Sequence, residues 1–212
     1  MARRHKEAPE VHRERIAAAA ESLFLKRGIE ATTVDDIAKA AGYGKATVYV
    51  YFKNKEDIVG LLVLKSMKLL QHNLSQAVCQ NDTSLSTRAR YDALCECLVA
   101  YHERYPLYFS IALDEINVDF DSPNTLEVER DIYEVGEQTN EVIGHFIAHG
   151  IARNELRSDL PIPQTILLFW AALSGLIVIA ANKAVYFEQI TGQTKREFLR
   201  DGFDTLYRSI QA

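Results

Sequence analysis

Residues 31–56, ATTVDDIAKAAGYGKATVYVYFKNKE, constrain this chain more than any other stretch. Thr33-Val34-Asp35-Asp36 sets a hydroxyl three residues before an acid, a capping box with Asp in place of Glu. Both acids also suit the positive end of a helix. Val34, Ile37, Ala38 and Ala41 follow at helical spacing, and Gly42 breaks the run. A second short helix is predicted over 45–52, with Val48, Tyr49 and Phe52 as core contacts. Two short helices joined by a tight turn have helix-turn-helix geometry.

Faces so narrow need neighbours to pack on, and the flanks supply them. Residues 1–10 read as a polar arm. Residues 11–26 read as a helix, with Ile16, Ala20, Leu23 and Phe24 on one side and Gly28 as its left-handed cap. Asn54 is placed to cap a longer helix over 55–80, carrying Ile58, Leu61, Leu62, Leu69 and Leu70. After the polar break QNDTSLST (80–87), a helix over 88–103 turns Tyr91, Leu94, Cys95, Leu98 and Val99 inward. Pro106 fits the first turn of the next. Residues 119–124 read as a loop, 125–150 as a long helix, 157–163 as a loop with two prolines, and 164–187 and 195–210 as the last two helices. The expected fold is therefore all-α, with about nine helices. A three-helix head (1–60) containing the helix-turn-helix precedes a helical body (61–212), and the boundary lies in or beside the fourth helix.

Charge is divided along the chain. The net value is −5, yet residues 1–70 hold 13 Lys+Arg against 9 Asp+Glu, while the rest hold 11 against 20. Only the head gains much from phosphate attraction. Cys79, Cys95 and Cys97 fit neither a zinc pattern nor a disulfide framework, so a reduced, cytoplasmic setting is expected. The N-terminus MARRHKEAPEVHRER lacks the apolar core of a signal peptide. The greasy run at 166–187 is borderline for a membrane span and reads better as a buried interface helix. No phosphate loop, nucleophile elbow or metal set is present, so no enzyme, cofactor or metal is expected.

The start of the helix at 45–52 carries the chemistry. Lys45 is long enough to reach a phosphate or a guanine edge, and Ala46 permits close approach. Thr47, Tyr43, Tyr49 and Tyr51 offer hydroxyls. Lys55 sits badly for its own helix dipole and so wants an outside partner. Val50 offers no hydrogen bond but can meet a thymine methyl.

This stretch closely resembles the tetracycline-repressor-type (TetR/AcrR) regulators. Thr32, Thr33, Val34, Ile37, Ala38, Ala41 and Gly42 match the first half of that family's head pattern. Thr47, Tyr49, Tyr51, Phe52, Lys55 and Glu56 match the second, and Ile16, Ala19, Phe24 and Gly28 match the helix before. The resemblance covers roughly residues 12–65. It implies that Thr33, Thr47, Tyr49, Tyr51 and Lys55 lie near the DNA backbone, with Tyr43, Lys45, Ala46 and Val50 nearest the bases. Two residues depart from the pattern: Tyr43 replaces the usual valine, and Gly44 replaces the usual hydroxyl cap.

The resemblance also implies a homodimer on a palindromic operator of double-stranded DNA, most commonly a repressor released by a small-molecule effector. Ala171, Gly175, Phe198, Phe203, Leu206 and Tyr207 are the interface candidates. Tyr101, Tyr105, Tyr108, Phe109, Phe146, Phe169 and Trp170 are the pocket candidates, which suit an apolar or aromatic compound. Asp114, Glu115 and Glu134 are acidic enough to attract a cation, whereas His145 and His149 alone make no metal site. The rival reading is a helical protein-interaction adaptor whose head has lost specific DNA binding.

Overall fold

The computed structural model describes residues 7–78, 85–113, 122 and 125–212. The chain is all-helical, with ten helices and no strand among the described residues. Cys79, Asp114, Glu115, the first six residues, most of the 80–87 break and most of the 119–124 loop lie outside them. Two compact units emerge: residues 1–68 with 107–134, and residues 69–106 with 135–212.

The first unit begins with α1 (Pro9–Arg27), α2 (Val34–Ala41) and α3 (Lys45–Tyr51). It also holds the start of α4 (Lys55–Val78), most of α6 (Pro106–Ile111) and the start of α7 (Glu127–Ala152). α1 starts two residues earlier than expected, because Pro9 costs nothing in a first turn where its missing N–H has no partner to lose. Gly28 caps α1 with φ 83° and ψ 163°, a positive φ outside the left-handed helical well that the sequence reading expected. The Thr33–Asp36 capping box is formed at both of its bonds, and Gly42 ends α2 at φ 76°, ψ 26°. Asn54 Oδ1 accepts the Asp57 N–H at 2.8 Å and so caps α4 as expected.

Ile16, Ala20, Phe24, Ile37, Ala38, Val48, Phe52, Ile58 and Leu62 form the core of this unit. Tyr49, expected among them, is instead half exposed. It is one residue past Val48, about 100° round the helix, while Val48 and Phe52 share the inward face. Farther along α4, a Cβ on Gly60 would lie 2.7 Å from Val128 of α7, so the missing side chain makes room for that contact.

The second unit contains the rest of α4 and α7, with α5 (Thr87–Arg104), α8 (Ile162–Asn182), α9 (Ala184–Thr191) and α10 (Lys195–Ile210). The single helix expected over 164–187 is broken at Lys183, whose φ −125° and ψ 23° leave the helical well. α9 then runs on to the left-handed cap at Gly192. That break raises the count from nine helices to ten. α8 is long and apolar enough to cross a membrane, with mean hydropathy 2.0, and about a third of that stretch is buried in the chain.

Tyr91 is the hub of the second unit. Its ring lies 5.1 Å from Tyr207 and 6.2 Å from Phe169, and its hydroxyl donates to the Phe203 carbonyl at 2.9 Å. Arg88 covers the Tyr207 ring at 4.9 Å while pairing with Asp204 and Asp92. At the start of α5, Ser86 accepts the Ala89 N–H, and the Glu155 carboxylate accepts the Thr87 N–H at 2.6 Å. That backbone bond, with a second from Arg153, lowers the Glu155 pKa to about 2. A carboxyl depressed in the fold contributes stability above its unfolded pKa of about 4.3 and loses it as pH falls toward the folded value. Urea unfolding at pH 5 and pH 3 should therefore show a smaller acid loss in Glu155→Gln than in the parent; equal losses would refute this role.

Candidate nucleic-acid interface

α3 has only seven residues, too few to hold a helix in water unaided. It is held by Val48 and Phe52, which are 1% and 2% exposed. Seating these two turns the rest of the helix outward. Lys45, Ala46, Tyr49 and Val50 are all exposed, Val50 by 75%. Lys45 and Ala46 open the helix and Tyr49 and Val50 follow one turn on, so the exposed face combines a cation, a small residue, a phenol and an apolar tip. Such a surface suits close approach to a groove edge.

The other candidates are already engaged within the unit. Thr33 donates its hydroxyl to Asp36 at 2.7 Å and accepts the Asp36 N–H, so it serves as a cap first. Arg27 pairs with Asp36 at 2.6 Å. That pairing and the Thr33 bonds, the latter contributing most, hold the Asp36 carboxyl below the usual range. Lys45 pairs with Asp35 at 3.1 Å, which raises its pKa. Exposed pairs are weak in water, so a phosphate can displace Asp35. Lys55 donates to the Ile29 carbonyl at 3.2 Å, tying the start of α4 to the loop after α1. That bond satisfies the misplaced lysine from inside the protein, where the sequence alone pointed outward. Thr47 is half-buried.

Tyr43 and Tyr51 are half-buried at the two ends of α3 and face α1. The Tyr43 hydroxyl lies 2.7 Å from both His12 Nδ1 and Arg15. His12 in turn stacks on Tyr51 with centroids 5.0 Å apart. The sequence reading gave no role to His12 or Arg15. Their spacing of three on a helix is the sole signal, and it has no meaning until α1 is laid against the turn.

The body candidates separate into groups. Phe146, Phe169 and Trp170 line a void of about 30 Å³ in the second unit, with Leu74, Leu98 and Ile143. Its polar neighbours Tyr91 and Thr165 spend their hydroxyls on the Phe203 and Pro161 carbonyls. Tyr101 and Tyr105 pack on each other at 5.5 Å away from this lining, and Tyr108 and Phe109 belong to the first unit. Of the interface candidates, Ala171 is exposed and Gly175 faces open space, whereas Phe198, Phe203 and Leu206 are half-buried. Tyr207 is 3% exposed beneath Arg88, taken into its own chain's core and so absent from the free face. The exposed face of α8 is instead carried by Leu167, Leu168, Ala171 and Ile179. His145, His149 and Glu134 are exposed, and among the described residues no three potential metal ligands gather.

Residues 16–62 match the family model described as bacterial regulatory proteins, tetR family. The chain carries a tetR-family head. The transcriptional regulator TtgR of Pseudomonas putida is 40% identical over 77 residues, 36% of each protein. The biofilm operon negative regulator IcaR of Staphylococcus aureus is 33% identical over 84 residues, 40% of this chain and 44% of that protein. The matched part thus spans well under two thirds of either relative. The resemblance in fold extends further. PfmR, a TetR family transcriptional regulator of Thermus thermophilus, superposes with a TM-score of 0.64 at 23% identity, covering 92% of this chain and 97% of that one. In the tetR-family head, the exposed start of α3 occupies the second helix of the helix-turn-helix.

Proposed function

We propose that this protein is a ligand-responsive, sequence-specific transcriptional regulator. It acts in the bacterial cytoplasm as a homodimeric repressor on a palindromic operator. Residues 1–60 serve as the DNA-binding head and 61–212 as the sensing and dimerisation body. The observation that carries this reading is the outward display of Lys45, Ala46, Tyr49 and Val50 from a helix anchored by Val48 and Phe52. TtgR and IcaR, alike in this head, are named as transcriptional regulators, the second a negative one.

Dimerisation is supported by the free apolar face of α8, where Gly175 leaves room for a second helix. Two-fold pairing then presents two α3 helices to successive major grooves. The effector site is the apolar void beside Phe146, Phe169 and Trp170. Ligand pockets for drug-sized compounds hold roughly 300–1,000 Å³, about ten to thirty times the void of about 30 Å³ seen here. The effector therefore selects a more open arrangement of the body, and that difference in affinity between states is what releases the operator.

Selection of duplexes from a random pool tests the reading. The parent should enrich a two-fold symmetric sequence whose half-sites lie about one helical turn apart. Failure to enrich any sequence at low salt would favour an adaptor that no longer reads DNA.

A further inference from the structure

The two departures from the family pattern, Tyr43 and Gly44, adjoin each other at the entry to α3. Gly44 is the N-cap and gives the helix no side-chain bond. Neither strain nor crowding demands glycine there, since its φ is −79° and an added Cβ would meet open space. The helix thus lacks the hydroxyl that would ordinarily pin its first turn.

The neighbouring tyrosine is pinned instead. Arg15 has donors only, so it donates to the Tyr43 oxygen at 2.7 Å. The single Tyr43 hydroxyl proton then goes to His12 Nδ1, also at 2.7 Å, with the imidazole accepting. Glu7 faces this pair, 3.4 Å from Arg15 and 3.8 Å from His12 Nε2. The far end of α3 is gripped by the same turn of α1. His12 stacks on Tyr51, while Arg13 donates to the Tyr51 carbonyl and lies 4.3 Å over the Phe52 ring. One turn of α1 therefore holds both ends of a helix that cannot hold itself.

We propose that Tyr43 is a positioning residue for DNA reading: its hydroxyl, clasped by Arg15 and His12, fixes how α3 leaves its turn, and Tyr43 reads no base itself. His12 and Arg15 are positioning residues through it. This rests on α3 being the helix that reads DNA.

Three variants separate the parts. Tyr43→Phe keeps the ring and removes the hydroxyl. His12→Phe keeps the stack on Tyr51 and removes the acceptor. His12→Asn loses the stack but restores an acceptor near the Nδ1 position. Native-state hydrogen exchange of the Val48 and Phe52 amides reads the clasp without DNA, with the Leu62 amide of α4 as the internal reference. Loss of one such bond in His12→Phe should speed α3 exchange about tenfold, loss of both in Tyr43→Phe at least as much, Leu62 should stay unchanged, and the effect at Val48 should be largely reversed in His12→Asn. In duplex selection, Tyr43→Phe should flatten preference across the whole half-site. Unchanged α3 exchange in Tyr43→Phe would overturn the proposal, and so would loss of preference at one base pair alone. If the parent selects no sequence, the DNA reading fails separately, while the exchange rates still decide whether the clasp exists.

Discussion

Leu168→Asp is expected to convert the proposed dimer to monomers and to abolish the proposed operator binding at concentrations where the parent is saturated. Leu168 is 68% exposed on α8, between Leu167 and Ala171 and two turns before Gly175. Burial of a leucine contributes roughly 1.5–3 kcal/mol, and two-fold symmetry counts it twice. The loss of about 3–6 kcal/mol corresponds to about a hundredfold to ten-thousandfold weaker pairing, before the cost of enclosing two carboxylates is added. A monomer grips one half-site and forfeits the second head. Sedimentation velocity at micromolar protein reads the first effect and fluorescence anisotropy on the selected duplex the second. A Leu168→Asp protein that still sediments as a dimer would place the interface elsewhere.

Phe52→Ala is expected to unfold the head while leaving the second unit folded. The ring is 2% exposed, packed with Ile16, Phe24, Ile37 and Ile58 and covered by the Arg13 guanidinium. Deleting a buried phenylalanine costs about 3–5 kcal/mol, a large share of the 5–15 kcal/mol typical of a whole domain. Because α3 relies on Val48 and Phe52 for its seat, duplex binding should disappear with the helix. Val50→Ala, at a position 75% exposed, should leave stability within about 0.5 kcal/mol. Denaturant unfolding followed by amide exchange separates the two units. A Phe52→Ala head that loses less than about 1 kcal/mol would refute this packing.

The fold was largely legible because its signals are local. The Thr33–Asp36 box, the Asn54 cap and the inward face of α5 follow from spacing and residue type. Two boundaries were missed for local reasons too subtle to read. Pro9 opens a helix where it looked like part of an arm, and Lys183 breaks one in a sequence that stays apolar on both sides.

The site was legible in part. Spacing shows that α3 turns one face outward, but not what its side chains meet. Lys55 finds the Ile29 carbonyl 26 residues away, and Tyr43 finds His12 31 residues away. Such pairings depend on how helices are laid together, which no window of sequence contains. The run of aromatics at 101–109 shows the same limit. Adjacent rings on successive helices diverge, so Tyr101 and Phe109 are buried in different units.

The central claim is that the exposed start of α3 reads bases. Repeating the duplex selection with Lys45→Ala tests it most directly, because Lys45 is exposed and paired only loosely with Asp35. The expected result is the parent's two-fold symmetric sequence with preference relaxed at one symmetric base pair in each half-site, about 1–3 kcal/mol of discrimination lost there. An unchanged preference at every position would contradict it.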